Sequence, residues 1–172
     1  MALIKSVRGK EPKIGNNCYL ADNSTIIGDT VIGDDCSIWF NTVIRGDVNS
    51  IRIGNRVNIQ DGTVLHCLYE KSIIEIGDNV SIGHNVVIHG ARISENVLIG
   101  MGSVILDNVV IGKNSIIAAG AVVLAGTVIE PGCIWGGVPA KFMKEIDPGQ
   151  TKDMIERIAR NYLMYAGWYR TE

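Results

Sequence analysis

Positive charge is not concentrated anywhere in this chain of 172 residues. Its 16 lysines and arginines face 18 aspartates and glutamates, for a net charge of -2, and no basic run or arginine-rich arm occurs. That removes the electrostatic reason to expect nucleic acid or an anionic membrane as a partner. No uninterrupted apolar stretch is long enough to cross a bilayer. The first residues, MALIKSVRGKEPKIG, lack the apolar core of a secretory signal, so a cytoplasmic location is expected. Cys18, Cys36, Cys67 and Cys133 are scattered with no C-x-x-C pair, which argues against a zinc ribbon or a thioredoxin-type motif. They are expected as small buried residues, and oxidation of Cys67 stays an open question because it follows His66. Histidine is scarce as well: His66, His84 and His89 are the full set, all within residues 65–90.

What is present is a beat. An apolar residue returns every six positions at Ile14, Leu20, Ile26, Ile32, Ile38 and Ile44. After a slip it resumes at Ile53, Ile59 and Leu65, and after a longer interruption at Ile76, Ile82 and Ile88. One residue is then dropped and the beat runs from Ile93 through Ile99, Ile105, Ile111, Ile117 and Val123 to Ile129. A period of six is neither that of a helix nor that of a long alternating strand, so the repetition itself is the signal. It predicts a mainly β fold, a parallel β-helix with beat residues inward. Small residues such as Cys18, Cys36, Ser103 and Ser115 share the interior, and Gly or Asn supplies the turns. The coil is expected over residues 1–140. Residues 141–172 are expected to close it and form one helix along a wall, begun by Asp147, Pro148 and Gln150 as cap, first-turn proline and capping-box partner. The helix aromatics are expected to pack.

With three repeats to a coil, beats three apart share a wall, one strand spacing above one another. Ile44, Leu65 and Ile88 are such beats, and the residue after each points outward. Arg45, His66 and His89 therefore form one outward column. His84 lies two residues after Ile82, near a corner of the preceding wall, with Asp61 in the matching place one coil below. Any one histidine reads as an ordinary surface or turn residue; three in adjacent coils, two of them in register, read as a metal site. Since His84 belongs to another wall, a symmetric trimer is the arrangement that brings it to His66 and His89 of a neighbour.

The motifs RGDVNSIRIGNRVNIQDGTVLH and IGHNVVIHG, with GGVPAK and the terminal helix, resemble the γ-class carbonic anhydrase family of hexapeptide-repeat proteins over nearly the whole chain. The resemblance implies a left-handed coil and a homotrimer. It implies His66, His84 and His89 as ligands of zinc, with iron or cobalt as other occupants, and reversible hydration of carbon dioxide to bicarbonate by a metal-bound hydroxide. It also implies an intersubunit salt bridge for Arg45 and Asp47, orientation of the metal-bound water by Gln60 and Asp61, and a site role for Asn161 and Tyr165. Two departures bear on rate. Val48 stands where an acidic residue follows the Arg-Gly-Asp motif in the family, and the acidic loop is reduced to CLYEKSI with Glu70 as its one acid, which implies a slow or inactive enzyme. An acyltransferase or acyl-coenzyme A hydrolase is the first rival reading, and a non-catalytic metal-binding assembly trimer the second.

Overall fold

The structure is a computed structural model that describes residues 1–147, 149 and 151–169, with the side chains of 151–153 left aside. Its body is a parallel β-solenoid in which every beat finds its predicted neighbour. Leu20, Ile38, Ile59, Ile82, Ile99 and Ile117 pair in sequence along one wall, and Trp135 ends the column. Ile26, Ile44, Leu65, Ile88, Ile105 and Val123 form a second. Ile14, Ile32, Ile53, Ile76, Ile93, Ile111 and Ile129 form the third. From Ile26 to Ile129 the beat residues are buried in one continuous core with Cys36; Ser103 and Ser115 are buried as well, and Trp135 packs partly buried against that core.

The breaks in the beat have local causes. The nine residues from Ile44 to Ile53 are taken up within one long strand, Val43–Ile53, whose pairing with Thr25–Ile32 shifts register after Gly28. The eleven from Leu65 to Ile76 accommodate an outer loop that exposes Leu68 and Tyr69. Glycine follows a beat where the next coil passes too close for a side chain. A Cβ on Gly83 would lie 2.7 Å from the Met101 backbone nitrogen. Most of the left-handed turn positions without glycine carry asparagine, including Asn17, Asn41, Asn79, Asn85 and Asn96. Its short polar side chain tolerates that conformation.

The end of the chain is more irregular than its sequence suggests. Strand Cys133–Gly137 turns back as Ala140–Glu145 in an antiparallel hairpin that closes the top of the coil. A π-helical stretch, Thr151–Glu156, precedes α1, Arg157–Trp168, and no side chain caps α1 at Glu156. Asp147 does accept a hydrogen bond from the Gly149 backbone N–H at 2.7 Å, while Pro148 and Gln150 lie outside the described residues. As expected, the helical segment packs on the coil. Ile155, Ala159 and Ala166 are buried, and Tyr162 meets Trp39 edge-on with centroids 5.4 Å apart. Among the described residues no helix is long and apolar enough to cross a membrane.

Candidate functional site

The predicted column is present. Arg45 pairs with His66 and His66 with His89 across adjacent strands, and the two imidazole centroids are 5.3 Å apart. Outward direction follows from the inward beat beside each residue. A carboxylate stands beside each histidine. Asp107 lies 3.0 and 3.1 Å from Nδ1 of His89 and accepts a 2.6 Å hydrogen bond from the Ser72 hydroxyl. Asp47 lies 3.2 Å from Nε2 of His66.

Charge reinforces this arrangement. Burial pushes the Asp107 carboxyl up, but hydrogen bonds from Ser72 and His89 outweigh it and hold the group below the usual carboxylate range. Asp47 is also lowered: burial acts against ionisation, and the Arg45 hydrogen bond and charge, with His66, overcome it. His66 sits below the ordinary histidine value, first through burial and then through Arg45 and His89, with Asp47 opposing. Both carboxylates are therefore ionised near neutral pH and can only accept. His89 accordingly carries its proton on Nδ1 and keeps the Nε2 lone pair, whereas His66 donates from Nε2 and keeps the lone pair on Nδ1.

Arg45 and Asp47, for which the resemblance implies a bridge between subunits, also touch within one chain. Within this single chain they pair with each other, Nη1 to Oδ2 at 2.6 Å, because residues two apart on strand Val43–Ile53 share a side of it.

His84 belongs to the other half. Backbone hydrogen bonds from Gly62 to Phe40, Asn85 to Asp61 and Gly102 to His84 stack Phe40, Asp61 and His84 into one corner column. Asp61 lies 2.8 Å from Nδ1 of His84, leaving Nε2 as the free ligand nitrogen, and also accepts the Phe40 backbone N–H at 3.2 Å. Gln60 is buried beside this corner, its amide donating to Asn58 at 3.0 Å, and Asn58 donates in turn to Ser81 at 2.7 Å. Tyr165 is half-buried on α1, its ring against Tyr162 and Trp168. Tyr165 and Asp61 line a common cavity.

Among the described residues of one chain, no three His, Cys, Asp or Glu side chains gather as a metal cluster. The donor chemistry still fits a metal. In His84 and His89 a carboxylate holds Nδ1, the outer contact that fixes the ring and tautomer of a metal-ligating histidine. His66 fits in a second way: it can offer Nδ1 as it stands, or Nε2 after Asp47 releases it.

Cys67 takes no part. It is fully buried and its thiol is pushed up to about 11, first by burial, so it is protonated at neutral pH and shielded from oxidants. Sequence reasoning missed Asp107 and Ser72. The position two after a beat, which singled out Asp61 and His84, also singles out Asp107, following Ile105. Ser72 lies in the interrupted stretch and gives no periodic signal. Tyr162, pushed up to about 12 by burial and then by Asp61 and Tyr165, was expected as packing alone.

Known proteins match both the fold and these motifs. The family described as bacterial transferase hexapeptide (six repeats) matches residues 11–46 and 90–125. A carbonic anhydrase of Geobacillus kaustophilus is 49% identical over 168 residues, covering 98% of this chain and 91% of the relative. Gamma carbonic anhydrase 2 of Arabidopsis thaliana, a mitochondrial protein, is 39% identical over 98% of this chain and 62% of its own length. A solved Bacillus cereus structure described as an acetyltransferase is 42% identical with a TM-score of 0.94, covering 99% of this chain and 98% of that one. The chain belongs to the γ-class carbonic anhydrase family of hexapeptide-repeat proteins.

Proposed function

We propose that the chain assembles as a homotrimer holding a divalent metal ion at each interface, between His66 and His89 of one subunit and His84 of the next. We further propose that it catalyses the reversible hydration of carbon dioxide to bicarbonate. The observation that carries this reading is the division of three carboxylate-partnered histidines between two walls: two of the set in one column, one in another, and no complete set in either. Rotational symmetry supplies the missing member to each half. Zinc suits three imidazoles, and iron or cobalt can take the same donors.

A metal held there with an open position acts as a Lewis acid that brings the pKa of a bound water to about 7. The chain's residues do the rest. Asp61 and Asp107 keep the Nδ1 protons of His84 and His89 in place, so that Nε2 of each would be left to hold the ion. Gln60, fixed by Asn58, offers an uncharged amide at the rim and leaves the site's charge unchanged. Tyr165 lines the cavity beside Asp61. Proton exit is the weak step. Val48 packs toward the core in place of an acid, and Glu70 stands alone on its loop, so turnover is slow. The thiols of Cys36, Cys67 and Cys133 fit a reducing compartment, and we place the trimer in the cytoplasm.

The acetyltransferase description of the Bacillus cereus neighbour favours a second reading, acyl transfer from coenzyme A. Acyl transfer does not call for a carboxylate beside each of three histidines. The two are separated by one assay pair on zinc-loaded protein: bicarbonate formation, lost in His84→Ala, supports hydration, whereas protection by acetyl-coenzyme A against thermal unfolding without hydration supports acyl transfer.

A further inference from the structure

The aromatic residues gather around Asp61, beside the corner that carries His84. Trp39 and Phe40 on the wall meet Tyr162, Tyr165, Trp168 and Tyr169 from the helix end around a cavity of about 300 Å³. Ring centroids between neighbours lie 5.0 to 6.4 Å apart, with Trp39 and Tyr169 nearly perpendicular at 85°. Among the described residues Asp61 is the one charged group in the lining, with no lysine or arginine beside it. Trp168 and Tyr169 are more than half and half exposed respectively, so the cavity opens to solvent on their side.

An aromatic ring presents a negative face, and several faces around one carboxylate attract a weakly hydrated cation. The field of Asp61 reaches the rings, since it raises the hydroxyl of Tyr162 after burial, and adds to that of Tyr19 after burial, Tyr169 and Asp22. Hydration selects among cations. Asp61 already serves His84 through one oxygen and the Phe40 N–H through the other. A primary ammonium is strongly hydrated and loses more on entering an aromatic lining. A quaternary ammonium has no N–H donors, and its methyl groups suit ring faces.

We propose that this cavity binds a small quaternary ammonium compound, its trimethylammonium head held among the ring faces and beside the Asp61 carboxylate. The volume suits such a head with a short tail and is too small for a nucleotide or coenzyme A. The site does not require metal in the neighbouring histidines.

Calorimetric titration of the full-length protein, both metal-stripped and zinc-loaded, tests it with choline as the probe. Its uncharged carbon isostere, 3,3-dimethyl-1-butanol, and ethanolamine serve as the comparisons. Saturable choline binding is expected with and without zinc, weaker for either comparison by about tenfold or more. Phe40→Leu and Trp168→Leu should each weaken choline binding about tenfold, with circular dichroism, oligomer mass and zinc content unchanged. Equal affinity for the isostere would identify a plain apolar pocket and overturn the proposal, as would absent choline binding or unchanged affinity in both variants. Zinc content reports separately on the metal reading.

Discussion

His89 shows how one residue is prepared for its task. Its Nδ1 proton is committed to Asp107, which Ser72 holds from the other side, so Asp107→Asn leaves the coil intact but loosens the ring and its tautomer. Zinc affinity should fall about 10–100-fold in that variant, with the thermal midpoint of the metal-free protein little changed; competition with a chelating dye measures the first and calorimetry the second. Acid acts on the same groups. Because Asp47 and Asp107 ionise more readily in the folded chain, the stability they contribute is present above about pH 4 and is lost as pH falls through their lowered values. His66 is lowered too, so the unfolded chain takes up its proton first, and stability declines as pH drops below about 6.5. Urea midpoints of metal-free protein should therefore fall between neutral pH and mild acid, with a shallower slope in His66→Gln. A flat profile for the unaltered protein would contradict this.

At the scale of elements, the coil and the helix depend on different information. The coil was legible because each beat is one residue class at one spacing, and parallel pairing in register turns that spacing directly into geometry. Arg45, His66 and His89 could be stacked from it, and His84 placed above Asp61, before any coordinates. The hairpin of Cys133–Gly137 with Ala140–Glu145 carries no period and was not legible, nor was the π-helical entry to α1, which has no side-chain cap at Glu156. Ser72 and the pairing of Arg45 with Asp47 depend on side-chain directions that a period cannot supply. Trp39, 6% exposed, joins the two elements by meeting Tyr162, Tyr169 and Tyr19. Trp39→Ala should cost about 3–5 kcal/mol in a urea titration, far more than Trp168→Ala at the exposed end of α1. Similar losses for both would mean that the helix is not seated on this wall.

Across the whole molecule, the fold places its chemistry on the outside because the inside of the coil is full. From Ile26 to Ile129 the interior is one apolar stack, so ligands can only project from walls and corners, and a single coil cannot turn two walls toward each other. On the proposed reading, function at these histidines is a property of the assembly. His84→Ala should lose bound metal while keeping the coil, since no strand pairing depends on its ring; His66→Ala should do the same from the other half. The decisive measurement is metal content after mixing the two. Each variant alone should assemble without zinc. Mixed trimers, isolated by different affinity tags later removed, should regain one zinc ion, at the interface where intact His66 and His89 of one chain meet intact His84 of the other. Zinc retained in either pure variant, or none regained in the mixed trimer, would contradict a site divided between subunits.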